Sequence, residues 1–207
     1  MSKLTQSFFL VLLLAGCNKA TTPEPDPSDP VNMNCTYAAS FTDPRDSKVY
    51  PVVVIGSQTW MAKNLDYEAA GAGNWCYNCA EYGRLYDWAT AKTVAPAGWH
   101  LPSAEEWDQL VTTLGGLTVA GGKMKSATGW STPNSDATNS CCFSALPAAY
   151  MKNDGNLAGV NQNTAFWTTQ EFDGEVANAY VLGYLYGKTQ KSGFSKAWGL
   201  SVRCIKD

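Results

Sequence analysis

The sequence contains one histidine, His100, and few charged residues. Charged side chains make up 16% of the 207 residues, well below the usual quarter. A lone histidine excludes metal sites built from several histidines, and it leaves His100 as the only histidine that a Ser-His-Asp triad could contain. Fifteen basic and eighteen acidic residues leave a net charge of −3, whereas proteins that bind nucleic acid carry a basic surface. We therefore expect no nucleic acid partner.

The chain also lacks a long hydrophobic run. Its apolar stretch from Phe8 to Leu14 is shorter than the roughly 20 residues that a membrane-spanning helix needs. Residues 1–16 have the layout of a secretory signal peptide. The tetrapeptide Leu-Ala-Gly-Cys that ends at Cys17 resembles the bacterial lipobox, whose cysteine receives a diacylglycerol. We predict a lipoprotein anchored to the cell envelope through Cys17, with the outer membrane, periplasmic and surface faces all left open. Ordinary cleavage with a free Cys17 is the alternative.

Residues 17–33 are predicted to form a tether between this anchor and one folded domain, residues 34–207. The tether is rich in proline and acidic residues and has almost no apolar side chains. Such a segment cannot bury enough surface to fold alone, and its prolines keep it semi-extended.

The pattern of the remaining sequence predicts an α+β domain. Ser103 and Glu106 match a capping box, and apolar residues follow at helical spacing up to Leu114, which predicts a helix from Ser103. A second helix is predicted over Tyr82–Lys92, and residues 116–165 are interpreted as mostly loops. The predicted hairpin and strands cover Val49–Met61, Phe166–Thr169, Ala177–Tyr186 and Trp198–Ile205.

Six motifs in this order resemble the Fibrobacter succinogenes major paralogous domain. They are VVVIGSQTWMAKNLDY (52–67), YGRLYDWATAK (82–92), PAGWHLPSAEEWDQL (96–110), FSALPAAY (143–150), FWTTQE (166–171) and GLSVRCIKD (199–207). The HLPSAEEW and LSVRC segments also look like the wider formylglycine-generating-enzyme superfamily, whose fold is a variant of the C-type lectin-like domain. The resemblance implies a twisted antiparallel sheet, two helices and long loops, which we expect disulfides to pin.

Six cysteines follow Cys17, an even number in an oxidising compartment, so we expect structural disulfides. They are Cys35, Cys76, Cys79, Cys141, Cys142 and Cys204. Relatives commonly carry a cysteine before the PxGWHLP motif that can pair with the one in the VRC strand, but this chain has Ala95 there. Cys204 then pairs elsewhere, with Cys35 preferred over the vicinal cysteines, or stays free. A CxxC redox dithiol and a four-sulfur zinc site are alternatives for the other cysteines.

No catalysis, cofactor or metal is expected from the residues present. Formylglycine-generating enzymes use a cysteine pair shortly before the last strand, and Gly183–Gly199 contains no cysteine. The acidic residues Glu105, Glu106 and Asp108 lie at the start of a predicted helix, where the helix dipole explains them. Neither triplet typical of a lectin calcium site, Glu-Pro-Asn or Gln-Pro-Asp, occurs in the sequence.

The function we predict is binding of a glycan or a surface protein through loops. Aromatic rings stack on sugar rings, and amides and carboxylates give directional hydrogen bonds. The candidate ligand-binding residues are Trp75, Tyr77, Trp130, Asn153, Asp154 and Asn156. The alternative is a structural or assembly component of the envelope without a small ligand, and a formylglycine-type oxidoreductase comes third.

Overall fold

The computed structural model describes residues 35–37 and 40–207, with side chains from residue 40 onward. The predicted signal peptide, the anchor at Cys17 and the tether fall outside the described residues. Within those residues, no helix has both the length and the apolar composition that crossing a bilayer requires.

Four helices lie in the described residues, and three of them have only four or five residues. The helices are α1 (Cys79–Tyr82), α2 (Trp88–Ala91), α3 (Ala104–Thr113) and α4 (Ala120–Met124). Helix α3 confirms the prediction from the capping box. The Ser103 side chain accepts a hydrogen bond from the Glu106 amide at 3.1 Å, and the Glu106 carboxylate accepts one from the Ser103 amide at 2.7 Å.

Most of the regular secondary structure is β-strand, and the longer strands lie in two larger sheets. The strands are β1 (Cys35–Tyr37), β2 (Phe41–Thr42), β3 (Val49–Tyr50), β4 (Val52–Ile55), β5 (Gln58–Met61), β6 (Asn74–Trp75), β7 (Leu85–Tyr86), β8 (Trp99–His100), β9 (Tyr150–Met151), β10 (Leu157–Ala158), β11 (Asn163–Glu171), β12 (Val176–Gly183), β13 (Thr189–Ser195), β14 (Leu200–Ser201) and β15 (Ile205–Lys206). One sheet has the order β1-β4-β5-β15-β8, and the other has the order β13-β12-β11-β14-β7-β6. Strands β2–β3 and β9–β10 form two small pairs.

Two large apolar clusters form the core, one on each side of the longest strands. Phe166 packs in the first cluster and its neighbour Trp167 in the second, because successive side chains of a strand point to opposite faces. Trp60 and Met61 on β5 divide in the same way. Helix α3 contributes Trp107 to the first cluster, where its ring stacks on Tyr180 with centroids 4.9 Å apart.

The predicted α+β class with antiparallel sheets is confirmed at that coarse level. The only parallel strand pair among the described residues is β11 with β14. The hairpin predicted over Val49–Met61 is present as β4 and β5, which pair from Val52 with Met61 to Ile55 with Gln58.

The helix predicted over Tyr82–Lys92 is wrong. Gly83 has a φ of 73° and ends α1, and Leu85 and Tyr86 then form strand β7 between β14 and β6. A new helix, α2, starts only after Asp87, whose side chain accepts a hydrogen bond from the Thr90 amide. Pairing in the larger sheet therefore outweighs the helical spacing of the apolar side chains.

Further elements differ from the sequence predictions. The single strand predicted over Trp198–Ile205 is wrong, because two short strands, β14 and β15, lie there and pair in different sheets. Strand β12 ends at Gly183 instead of Tyr186, because Tyr184–Lys188 forms the loop that leads into β13. Strand β13 itself has the sequence TQKSGFS, which is mostly polar and exposed, so it carries no apolar alternation. The segment predicted as loops contains α4 and the β9–β10 pair, and the number of helices is four rather than the implied two.

Candidate functional site

Two of the predicted ligand-binding residues, Trp75 and Tyr77, lie half-buried in a small apolar cluster beside the disulfide. We call the cluster the disulfide-side cluster; it consists of Tyr82, Leu85 and Ala148 with Trp75, Tyr77, Leu146, Met151 and Leu157 around them. The Tyr77 ring stacks on Tyr82 at a centroid distance of 6.2 Å. The Trp75 ring covers Gly199 so closely that a Cβ there would lie 2.5 Å from its Cε3 atom. Both rings therefore contribute to packing.

The predicted polar residues Asn153, Asp154 and Asn156 form the exposed turn between β9 and β10. The Asp154 carboxylate accepts a hydrogen bond from the Asn156 amide at 2.9 Å and stabilises the turn. Met151 and Leu157, on either side of the turn, pack in the disulfide-side cluster. The fold thus brings this turn to the same side of the molecule as Trp75 and Tyr77.

Trp130 packs in a different cluster from Trp75 and Tyr77. Its ring packs against the first core cluster, and its Nε1 donates a hydrogen bond to the Ala145 carbonyl at 3.0 Å. The ring centroid is 5.4 Å from the ammonium group of Lys125. Trp130 thus contacts a buried lysine whose role is described below.

The cysteines form fewer disulfides than the sequence predicts. Cys76 and Cys79 are bonded to each other, whereas Cys141, Cys142 and Cys204 are free thiols. Cys204 is fully buried in the second core cluster, and the thiol of Cys141 donates to the Lys123 carbonyl at 3.2 Å. The preferred pairing of Cys204 with Cys35 is therefore wrong; the side chain of Cys35 lies outside the described residues.

One of the cavities among the described residues is a cleft with a volume of about 470 Å³. We call it the hairpin cleft, because one wall is the loop between β12 and β13. Its lining consists of Thr118, Val119, Lys123, Asp136, Thr138, Ser140 and Gly187. Three hydroxyl groups, a carboxylate and an ammonium group are thus collected around one open cavity of a size typical for ligands.

Helix α4 forms the floor of the hairpin cleft, and its two glycines allow both walls to approach. A Cβ at Gly121 would lie 2.5 Å from the Lys188 carbonyl oxygen, and a Cβ at Gly122 would overlap the carbonyl oxygen of Asp136. The Gly122 amide donates to the Gly187 carbonyl at 2.7 Å, and its carbonyl accepts from the Thr138 amide at 2.9 Å. The helix is therefore fastened to both walls through its backbone.

Lys125, directly after α4, holds the same walls from below. Its fully buried Nζ donates to the carbonyls of Ser135, Gly183 and Tyr186 at 2.9, 3.0 and 2.9 Å. An ammonium group has three donors, so these carbonyls saturate it. Burial lowers the pKa of Lys125, and the charge of Asp136 opposes that shift. Lys125 therefore fixes the 131–136 loop and the β12–β13 loop to each other.

The wall that carries Asp136 has a backbone rarely adopted by L-residues. Five residues have φ between 46° and 59°, namely Asn134, Asp136, Asn139, Cys142 and Ser144. Left-handed conformations cost free energy in residues other than glycine, least in Asn and Asp. Such strain persists only where the surroundings impose it, and it is concentrated at functional sites.

On its other side, the β12–β13 loop borders a smaller hollow of about 90 Å³ lined by Tyr184, Tyr186, Lys188 and Gln190, among others. The Tyr186 side chain is 53% exposed, and the Lys188 ammonium lies 4.9 Å from its ring centroid. The loop thus presents an exposed aromatic ring and a cation beside the hairpin cleft.

His100 belongs to a separate polar cluster on the first sheet. Its two ring nitrogens contact the carboxylates of Glu106 and Asp207 at 2.9 and 2.6 Å. Burial opposes protonation, but the two carboxylates outweigh it and raise the pKa of His100. In residues 40–207, no group of three or more His, Cys, Asp or Glu side chains is arranged to hold a metal ion.

The sequence reasoning missed the hairpin cleft because its residues are scattered over three segments without apolar periodicity. One signal was available: the two adjacent glycines at 121–122, followed by Lys-Met-Lys at 123–125, indicate close approach of the backbone beside two lysines. The Tyr-Leu-Tyr sequence at 184–186 was assigned to a strand, which concealed its exposed position in a loop.

These features define an α+β domain whose long loops line a cleft with both polar and apolar surface. The chain belongs to the Fibrobacter succinogenes major domain family, because the family model matches residues 53–206. The matched range includes all residues that line the hairpin cleft. Neither the curated proteins nor the solved structures gave a match to this chain.

Proposed function

We propose that this protein is a lipid-anchored binding module of the cell envelope that recognises a glycan in the hairpin cleft. A C-type lectin-like variant is the fold that we propose within the α+β class. The observed capping-box helix against the long β11–β12 pair, together with the long loops, supports this finer assignment. Cys17 is the proposed anchor, and a tether of residues 18–33 with about 3.1 Å per residue would reach about 50 Å from the membrane.

The observation that carries the proposal is the fixed geometry of the cleft walls. Binding a flexible loop costs ordering entropy, so a site whose walls are held in advance binds more tightly. Lys125 uses all three donors on the two walls, and α4 adds backbone hydrogen bonds to both. Burying a charged group without forming an ion pair with a carboxylate costs free energy. For Lys125, the three hydrogen bonds of the buried ammonium group connect the two loops that form the cleft walls.

The chemistry of the cleft suits a saccharide. Sugar hydroxyls both donate and accept hydrogen bonds, and the hydroxyls of Thr118, Thr138 and Ser140 can do the same. The exposed ring of Tyr186 provides a surface for C–H contacts with a sugar ring beside the cleft.

The test is a glycan array probed with the full-length protein in detergent, followed by calorimetry on the best saccharide. We expect the double variant Thr138→Val/Ser140→Ala to bind at least tenfold more weakly, because two hydrogen bonds of about 1 kcal/mol each are removed. Thr112→Val, on the exposed side of α3, is the matched control and should bind like the wild type.

Two results would contradict the proposal. Loss of binding in Trp75→Ala or Tyr77→Ala, with the cleft variant unaffected, would place the site at the disulfide-side cluster. Absence of binding to every saccharide would overturn glycan recognition and favour the structural or assembly component.

A further inference from the structure

Strand β13 lies at the edge of the six-stranded sheet and, in the described residues, pairs only with β12. An edge strand offers a row of unpaired backbone amides and carbonyls, and proteins commonly guard it with proline, charge or a bulge. The seven residues of β13 include no proline, and their register with β12 is regular. Lys191 is the only charged residue of the strand, and its ammonium group is bound to Asp108 on α3 at 2.6 Å. The edge is therefore poorly guarded.

Two hydrogen bonds identify the backbone groups of β13 that point away from β12. The Lys196 amide, one residue after the strand, donates to the Glu175 carbonyl just before β12 at 2.8 Å. The Thr189 amide instead donates to the Leu117 carbonyl at 2.8 Å, outside the sheet. Successive residues of a strand direct their backbone groups to opposite sides, so the odd-numbered residues of β13 face outward. These residues are Thr189, Lys191, Gly193 and Ser195.

Some of these outward groups have partners and others do not. The Thr189 amide is bonded as described, and the Ser195 carbonyl accepts a hydrogen bond from the Trp198 amide at 2.9 Å. Both backbone groups of Lys191 and Gly193 make no hydrogen bond within the described residues. The same is true there of the Thr189 carbonyl and the Ser195 amide. The strand thus has one satisfied group at each end and open groups between them.

We propose that β13 pairs antiparallel with β13 of a second copy of this chain, about a two-fold axis at Ser192. In this register Lys191 of one copy lies opposite Gly193 of the other, and the two residues exchange both backbone hydrogen bonds. The Ser195 amide donates to the Thr189 carbonyl of the other copy. The Thr189 amide and the Ser195 carbonyl, which already have partners, lie opposite each other. The register therefore leaves no open group without a partner.

The side chains of β13 fit the same register. Lys191 lies opposite a glycine, so like charges, which destabilise a cross-strand pair, do not meet. Ser192 lies opposite its own copy, and Gln190 lies opposite Phe194, whose ring packs against the second core cluster. A two-fold contact uses the same surface on both copies and closes. The product is a dimer, and it does not depend on the proposed function.

The variant Ser192→Cys tests the pairing in the full-length protein in detergent. Opposite residues that share no backbone hydrogen bond have Cα atoms about 4.5 Å apart, within the range that a disulfide spans. We expect mild oxidation to link about half of the chains or more as dimers through position 192. Gln190→Cys is the matched control, because the two copies of residue 190 lie more than about 13 Å apart in this register. It should link no more than the wild type.

A second pair of variants tests the open amide of Lys191. Lys191→Pro removes this amide, whereas Lys191→Ala keeps it, and both lose the ion pair with Asp108. By sedimentation equilibrium in density-matched detergent, the dissociation constant of the dimer should be at least tenfold higher for Lys191→Pro. If the proline variant does not fold, the cysteine variants decide alone. Equal linking at positions 190 and 192, equally stable dimers of the two Lys191 variants, or a wild type that stays monomeric at about 100 μM would overturn the proposal.

Discussion

Two buried cations, Arg203 and Lys125, stabilise different regions of the molecule by similar means. Arg203, between β14 and β15, is fully buried and donates to the Asn64 side chain at 2.6 Å and to the carbonyls of Met61 and Phe143 at 3.1 and 2.5 Å. Its guanidinium also lies 4.3 Å from the centroid of the Phe143 ring. Lys125 donates its three hydrogen bonds to carbonyls of the cleft walls, and its ammonium group also lies over the Trp130 ring. Burial lowers the pKa of both groups.

The difference lies in what each cation connects. Arg203 joins Met61, at the end of β5, to Phe143, the first residue of the 143–150 motif; Met61 packs in the second core cluster and Phe143 in the first. Lys125 joins two exposed loops. Backbone carbonyls therefore accept hydrogen bonds from both cations. The bonds of Arg203 stabilise the core, and those of Lys125 fix the candidate binding site. Both cations contact the long 115–149 segment, in which Cys141 and Cys142 are free thiols.

Arg203→Met should have the largest effect on stability. It leaves the oxygen of Asn64 and two buried carbonyls without donors, and each unsatisfied group costs about 1–3 kcal/mol. We expect the free energy of unfolding in urea to fall by about 3–5 kcal/mol. Arg203→Lys should recover little, because an ammonium cannot reproduce the planar fork of donors. A loss below about 1 kcal/mol would contradict the structural role of Arg203.

Lys125→Met should cost less, about 2–3 kcal/mol, because relief of the buried charge offsets part of the lost hydrogen bonds. Hydrogen exchange should distinguish the Lys125→Met variant from the Arg203→Met variant. Protection should be lost at 131–136 and 183–187 in the Lys125 variant while the amides of β11 and β12 stay protected. Uniform loss over the whole domain would show that Lys125 also supports the core.

Gly122→Ala should destabilise the protein by about 1–3 kcal/mol, the usual cost of overpacking. The added methyl would overlap the backbone of Asp136 and push one cleft wall outward. Gly155→Ala is a useful comparison, since its φ of 80° strains the backbone but the added methyl meets open space. Only Gly122→Ala should weaken binding of a saccharide in the cleft. If both variants bind it equally well, the cleft wall is not rigid.

The smallest expected effect concerns pH and His100. Because its folded-state pKa is raised, protonated His100 stabilises the fold at pH values below its unfolded pKa of about 6.5. This contribution is lost as the pH rises through the higher folded-state value. The side chain is 40% exposed, so solvent screening should limit the effect to less than about 1 kcal/mol.

The variant His100→Gln checks this prediction by urea unfolding at two pH values. The difference in stability from the wild type should be larger at pH 5.5 than at pH 8.5. Equal differences at both pH values would mean that the contacts of His100 with Glu106 and Asp207 do not depend on its charge.

The sequence predicted local features of the fold better than long-range ones. The α3 helix and the β4–β5 hairpin depend on neighbouring residues, a capping box and a two-residue turn, and both were found. Strand β7 was missed because it has only two residues and one of its partners, β14, lies more than 100 residues away in the chain. Strand β13 was missed because polar side chains on an edge strand give no alternation.

The candidate site was predicted less well than the fold. Aromatic residues in glycine-rich segments indicated a binding face, but Trp75 and Tyr77 contribute to packing and Trp130 contacts Lys125. The hairpin cleft depends on carbonyl contacts of Lys125 and on the absence of side chains at Gly121 and Gly122. No residue pattern specifies which carbonyls a lysine will meet, so this site required the structure.

Hydrogen exchange of the full-length protein with and without a bound saccharide distinguishes the two candidate surfaces in one measurement. If the saccharide binds in the hairpin cleft, protection should increase at 117–123, 134–140 and 184–188, the segments that form this cleft. Increased protection at 74–82 and 151–157 with no change at the cleft would contradict it and place the binding surface beside the disulfide.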